Sequence, residues 1–335
     1  MHGPHQELPH CSIAISAGAI VEVGPHEELR RRYVSSRTID ATGLLAMPGL
    51  INGHGHLFQV MCRGLGDGCD LSNWAAAAIW PIARQMDRTA CEVAATLACV
   101  EMIESGTTTV ADSHYLHAYP GAQEGIAQAC ITTGIRAILS RAAMDTQAVP
   151  EFFRESVEQA VSATSRFIAA WNGRQNRIMV RPEAMSEVAA SPQMILGLRA
   201  LSREAGVGFH MHAAEERSRP ERLEREMGHR TISYLDSIGV LGPDVVLAHC
   251  VWLSDAEIMT LAGTGTSVIH NPVSNQFLAD GVAPVPMLLA KSVKVGLGSD
   301  GAASNDSADM FEIMKSTALL HKISSMRCDV LGADE

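Results

Sequence analysis

The rhythm of hydrophobic and polar positions changes near residue 45. Before it, SIAIS (12–16) and AIVEV (19–23) alternate around a glycine turn, the pattern of a small half-buried β hairpin. After it, short apolar runs alternate with longer stretches of helical period. LLAMPGLINGH (44–54) is an apolar run ending in polar residues, as a buried parallel strand does. A helix over 89–104, a strand over 107–112 and a helix over 122–133 follow. Next come a strand over 135–142, a helix within 150–170, the strand IMVRP (178–182) and a helix from Pro192. VGFHMHAAE (207–215), helical segments in 219–239, VVLAHC (245–250) and a helix from Ser254 continue the alternation. TSVIHNP (266–272), a helix near 285–291, VKVGLGSD (293–300) and a helix over 309–321 complete it. Eight strands, most followed by a helix, predict an α/β fold, a (β/α)8 TIM-like barrel. The reading divides the chain into a small, incomplete β domain over 1–46 and a barrel over 47–335.

In such a barrel, chemistry gathers at the C-terminal strand ends. Strand 1 ends in Gly53-His54-Gly55-His56, and strand 5 carries His210, His212 and then Glu215. Strand 6 ends in His249, strand 7 in His270 and Asn271, and strand 8 in Asp300. The His-x-His spacing has period two, so His54 and His56 face one side of a strand and offer half a shell for a divalent metal. His212 and Asp300 complete a catalytic shell of three histidines and one carboxylate, with a position left for water. His212 is preferred to His210 because His-Ala-Ala-Glu puts Glu215 just beyond the strand end. His210 is expected one layer lower, as a hydrogen-bonded barrel histidine, and His270 in a similar supporting place. His114 and His117 follow strand 2, where they can line a pocket. His2, His5, His10, His26, His229 and His321 are expected on the solvated surface.

Composition narrows the classes of function. The net charge of −11 leaves no electrostatic footprint for nucleic acid or anionic membranes, and no run of 18 apolar residues predicts a membrane span. The eight cysteines are scattered and form no C-x-x-C, so free thiols in a cytoplasmic protein are expected. No lysine occurs before Lys291, and strand 4 ends Val180-Arg181-Pro182-Glu183. A carboxylated lysine bridging two metals on that strand is therefore excluded, which favours a single ion.

PGLINGHGH (48–56), SGTTTVAD (105–112), HAAE (212–215), AHC (248–250), HNPVSN (270–275) and GLGSDGAASND (296–306) occur in one order. This series resembles the amidohydrolase superfamily, in its subgroup of heterocycle aminohydrolases and chlorohydrolases. RGLGDGCDLSNW (63–74), IWP (79–81) and DGAASNDSADMFEIMKSTALLHK (300–322) look most like the branch that deaminates methylthioadenosine and S-adenosylhomocysteine. SNDS (304–307) is shared with relatives acting on oxopurines, pterins and hydroxytriazines. The resemblance implies one divalent metal ion, zinc with iron as the alternative, on His54, His56, His212 and Asp300. It implies that His249 bonds the attacking water and the developing oxygen, and that Asp300 takes the first proton. Glu215 would carry protons to the ring nitrogen and the leaving ammonia.

The chemistry asks for the same residue types. Displacing an amine from an electron-poor ring carbon needs a nucleophile made from water, a proton for the ring nitrogen, and another for the amine. Glu215 beyond the metal shell meets the proton requirement and favours deamination. Gln59, Arg63, Trp74 and Arg141 are the expected substrate contacts, a stacking ring with polar edge readers for a flat heterocycle. Asn275 and Asn305 are expected to hold loops. The expected partner is a small heterocyclic substrate, with homo-oligomers possible in this family. Two alternatives are a hydrolase releasing chloride or an alkylamine from an s-triazine, and a non-catalytic barrel scaffold. Against its relatives the N-terminal β layer begins late and the chain stops soon after helix 8, so a truncated small domain is expected.

Overall fold

The final strand expected over 293–300 is broken in two, and the break is what closes the barrel. The structure is a computed structural model that describes residues 8–332; His2 lies outside the described residues, as does His5. The chain divides at Pro48/Gly49 into two compact units.

In the first unit, β1 (Cys11–Ser16) pairs antiparallel with β2 (Ala19–Pro25). Ala17 and Gly18 between them both have positive φ, 49° and 77°, the signature of a tight two-residue hairpin turn. A helix over His26–Arg32 follows, with Glu27 and Glu28 in its first turn and Arg30, Arg31 and Arg32 in its last, a charge order that suits the helix dipole.

The second unit holds one parallel sheet. Its strands are β3 (Leu50–His56), β4 (Thr107–His114), β5 (Arg136–Ala143), β6 (Ile178–Ser186) and β7 (Phe209–Ala213). β8 (Val245–His249), β9 (Ser267–His270), β10 (Val295–Leu297) and β11 (Asp300–Gly301) complete it. Each strand pairs with the next from β3 to β10, and β11 pairs with β3 on the opposite edge. Only Gly298 and Ser299 separate β10 from β11, so the chain itself joins the two edges. The amide of Gly298 still reaches the carbonyl of His270 at 3.0 Å. The Ser299 amide donates to Asn52 Oδ1 at 3.0 Å, and Asn52 Nδ2 donates to Ser299 Oγ at 2.6 Å. Asn52 on β3 thus ties the seam.

Helices cover the outer face, and side chains at their starts accept orphan amides. Asp87, Ser156, Ser191, Ser254 and Asp309 each cap a helix in this way. The expected helices are present; that over 150–170 begins only at Val157, after Ser156 and Gln159 form a capping box. The segment 71–83 was not foreseen: Leu71–Trp74 and Trp80–Ala83 are α-helical and Ala75–Ile79 is a π-helical turn between them. Such widened turns place residues that a regular helix would point elsewhere. His321, expected on the surface, is buried with its ring centroid 5.3 Å from that of His270. The last helix presents that side of its turn to the barrel wall, which periodicity over a mostly apolar helix does not reveal. No described helix is long and apolar enough to cross a membrane.

Candidate active site

The strand ends bring His54, His56, His212, His249, Glu215 and Asp300 together, all of them buried. Each of the first three histidines has its Nδ1 engaged. His54 Nδ1 lies 3.0 Å from His210 Nε2, His56 Nδ1 donates to Ser113 O at 2.6 Å, and His212 Nδ1 donates to Met185 O at 2.9 Å. Holding one ring nitrogen fixes tautomer and orientation, and directs the other nitrogen inward. His210 is thus the supporting barrel residue anticipated from its position. The engaged carbonyls of Ser113 and Met185 belong to neighbouring strands and have no signature in sequence.

Asp300 Oδ1 is 3.4 Å from His54 Nε2 and 3.2 Å from His56 Nε2. His54 Nε2 is fully enclosed yet has no hydrogen-bond partner, the mark of a nitrogen awaiting a ligand. Two overlapping groups, His54–His56–His212 and His54–His249–Asp300, each keep their ligand atoms within 4.8 Å of one another. Burial pushes the His54 imidazole down to about 3. Burial also opposes charge on His56, but its contact with Asp300 outweighs this and raises it to about 9. Burial likewise works against the Asp300 carboxylate, but its close contacts with His54 and His56 hold it well below the usual range. A buried carboxylate among imidazoles attracts a positive charge, and these residues fit a divalent cation.

Glu215 stands on the other side of the mouth. Ala214, the residue after β7, has φ of 48°, a left-handed turn that brings Glu215 back over the pocket. His249 and Asp300 share this unusual backbone, at φ 71° and 61°. Glu215 Oε1 is 3.4 Å from His249 Nε2, which is 3.8 Å from Asp300 Oδ2. Asn275 Nδ2 donates to His249 Nδ1 at 3.0 Å, leaving Nε2 to carry the proton toward the carboxylates. Burial lowers the His249 imidazole to about 3, so it is neutral. Asn275, expected only to hold a loop, thus sets this tautomer; Asn305 does hold its loop, donating to Ser299 O at 2.5 Å.

A cavity of about 360 Å³ opens above these groups, with Trp74, Trp80, Tyr115, Met144 and Leu278 among its apolar walls. Gln59 and Trp74 line it as expected. Gln59 Nε2 donates to Tyr115 Oη at 2.9 Å, and its Oε1 is buried without a partner. Trp74 is anchored by Nε1 donating to Ala303 O at 3.0 Å. The structure does not bring Arg63 or Arg141 there. Arg63 forks onto Glu101 at 3.0 and 2.6 Å, and Arg141 onto Glu155 at 3.0 and 2.7 Å, so neither guanidinium faces the cavity. Sequence cannot show that a nearby glutamate has already claimed an arginine. His114 and His117 are likewise turned away, bonding Leu116 O and Ala142 O, while Tyr115 lines the cavity. Tyr115, Trp80 and Arg219 were missed; the alternation of sides around His114 was the available signal for Tyr115.

The amidohydrolase family model matches residues 45–332. The chain belongs to the amidohydrolase family. It is 36% identical over 325 residues to a 5'-deoxyadenosine deaminase of Methanosarcina mazei, covering 96% of this chain and 71% of the relative. It is 35% identical over 326 residues to a 5-methylthioadenosine/S-adenosylhomocysteine deaminase of Pelotomaculum thermopropionicum, covering 97% of this chain and 72% of the relative. Among solved structures, an adenosine deaminase from Xanthomonas campestris with bound zinc superposes with a TM-score of 0.91 at 27% identity, covering 99% of this chain and 73% of that one. Amidohydrolases are typically metal-dependent, and the buried imidazoles with Asp300 suit that chemistry.

Proposed function

We propose that this amidohydrolase is a hydrolytic deaminase, replacing the exocyclic amino group of an adenosine-, purine- or pterin-like heterocycle with oxygen and releasing ammonia. The observation that carries this reading is Glu215 Oε1 beside His249 Nε2 at the cavity mouth, next to Asp300. His54, His56, His212 and Asp300 would hold one divalent ion, with zinc favoured by the zinc bound in the Xanthomonas relative. When bound, such an ion acts as a Lewis acid that makes water a competent nucleophile near neutral pH. Asp300 takes the first proton from the attacking water. His249 Nε2–H donates to the oxygen as it adds to the ring carbon. Glu215, protonated at the outset, gives its proton to the ring nitrogen, takes the hydroxyl proton of the adduct and passes it to the amine, which leaves as ammonia while the carbon keeps the oxygen; the proton held by Asp300 then restores Glu215. One water in and one ammonia out balances the exchange. Gln59 Oε1, fixed by the bond of its amide nitrogen to Tyr115, accepts from an N–H on the heterocycle edge. Trp74 and Trp80 flank the flat ring. Arg63 and Arg141 are given no substrate role.

Metal-loaded protein is tested for ammonia release from adenosine derivatives, guanine, oxopurines, pterins and aminotriazines. Release from purine- or pterin-type rings is expected. Release of chloride or an alkylamine from triazines, with no ammonia from the purines, would support the alternative hydrolase. No turnover on either set would sink both readings and leave the scaffold.

A further inference from the structure

We infer that Arg219 is a positioning residue for the proposed reaction, holding Glu215 by Oε2 so that Oε1 faces His249 and the reacting centre. Arg219 Nη1 is 2.9 Å from Glu215 Oε2, on the opposite side of the carboxylate from His249, 3.4 Å from Oε1. The carboxylate is thereby divided into a held oxygen and a working oxygen.

Three acid–arginine pairs of the same spacing lie in this stretch, and in only one do both partners line the cavity and lie largely buried. Arg217–Glu221 and Arg222–Glu226 are exposed surface pairs, of little energetic consequence in water. Arg219 and Glu215 are 14% and 6% exposed, and both line the cavity. The low-dielectric setting makes this pair count where its neighbours do not. Glu215 also has reason to wander without it. Its surroundings are rich in acid: Glu216, Glu187 and Asp280 all act on Arg219, and Asp280 is pushed up to about 8 by burial and then by the charge of Glu215. Removing the guanidinium leaves the Glu215 carboxylate facing like charges, free to turn toward water. Proton transfer depends on donor and acceptor lying within hydrogen-bond reach, so a lost orientation is felt in the chemical step.

This inference rests on the deaminase reading, and the test separates the two. Arg219→Met and Arg219→Lys are compared with wild type for kcat, KM, metal content and thermal midpoint. Arg219→Met is expected to lower kcat by about 10²-fold, with KM, metal content and melting temperature close to wild type. Arg219→Lys, which keeps the charge, is expected to recover most of the loss. Unchanged kcat in Arg219→Met overturns the inference, as does a rise in KM alone, which would make Arg219 a substrate-binding group instead. Crystal structures of wild type and Arg219→Met give a readout that needs no turnover. If Glu215 Oε1 keeps its place beside His249 without Arg219, the inference fails even where deaminase activity is found. If Glu215 swings away while wild type deaminates nothing, the positioning stands and the deaminase reading falls.

Discussion

At the scale of the residue, the candidate site is defined by which atom of each side chain is already occupied. His54, His56 and His212 each engage a neighbour through Nδ1 and turn Nε2 inward; His210 is the one side chain among these partners, and replacing it would be felt almost as much as replacing a ligand. Glu215→Gln keeps the shape but cannot carry a proton. It is expected to cost about 10²–10⁴-fold in kcat with metal content unchanged, checked by steady-state kinetics and elemental analysis. Full turnover in that variant would remove Glu215 from the mechanism. Gln59 makes a separate prediction. Its Oε1 has no protein partner, so the substrate is expected to supply one. Gln59→Ala then raises KM by about tenfold, the worth of one hydrogen bond, with a smaller effect on kcat. These residue types and their spacings were legible in the sequence. The occupation of Arg63 and Arg141 by Glu101 and Glu155 was not, because those partners lie 38 and 14 positions away and spacing alone does not pair them.

At the scale of the element, the strand–helix alternation was readable because buried parallel strands are short apolar runs and their covering helices are longer and mixed. Two elements resisted. The π-helical turn over Ala75–Ile79 lies in a run of alanines, which carries no periodic signal to mark a side. The division of the last strand depends on Gly298. A Cβ there would lie 2.8 Å from the carbonyl oxygen of His54 and would collide with Asn271 Oδ1. Gly298→Ala is therefore expected to destabilise the protein by about 1–3 kcal/mol through overpacking. Because the backbone it pushes is that of His54, metal content should fall with the thermal midpoint. An alanine variant that melts and loads metal like wild type would show that the seam tolerates a methyl group.

At the scale of the whole molecule, burial sets the response to acid. The His114 imidazole is enclosed, donates Nε2–H to Leu116 O, and is pushed down to about 3 by burial. In the unfolded chain it titrates near 6.5. Between these values the unfolded state binds a proton that the folded state refuses, so the stabilisation is complete above pH 6.5 and is lost as pH falls toward 3. His114→Gln is expected to flatten the pH dependence of unfolding free energy by about 1.4 kcal/mol per pH unit between pH 4 and 6, measured by denaturant melts. Parallel slopes for the two proteins would contradict the burial argument. The sequence by itself determined the class of fold, the family and the residues offered at the strand ends, because period, order and spacing are local properties of the chain. Only the tertiary structure decided which nitrogen each histidine presents, which arginine reaches Glu215 and which are claimed elsewhere. The histidine outcomes depend on distances between strands far apart in sequence, and the arginine outcomes on which side of a turn or helix meets the cavity; spacing along the chain encodes neither.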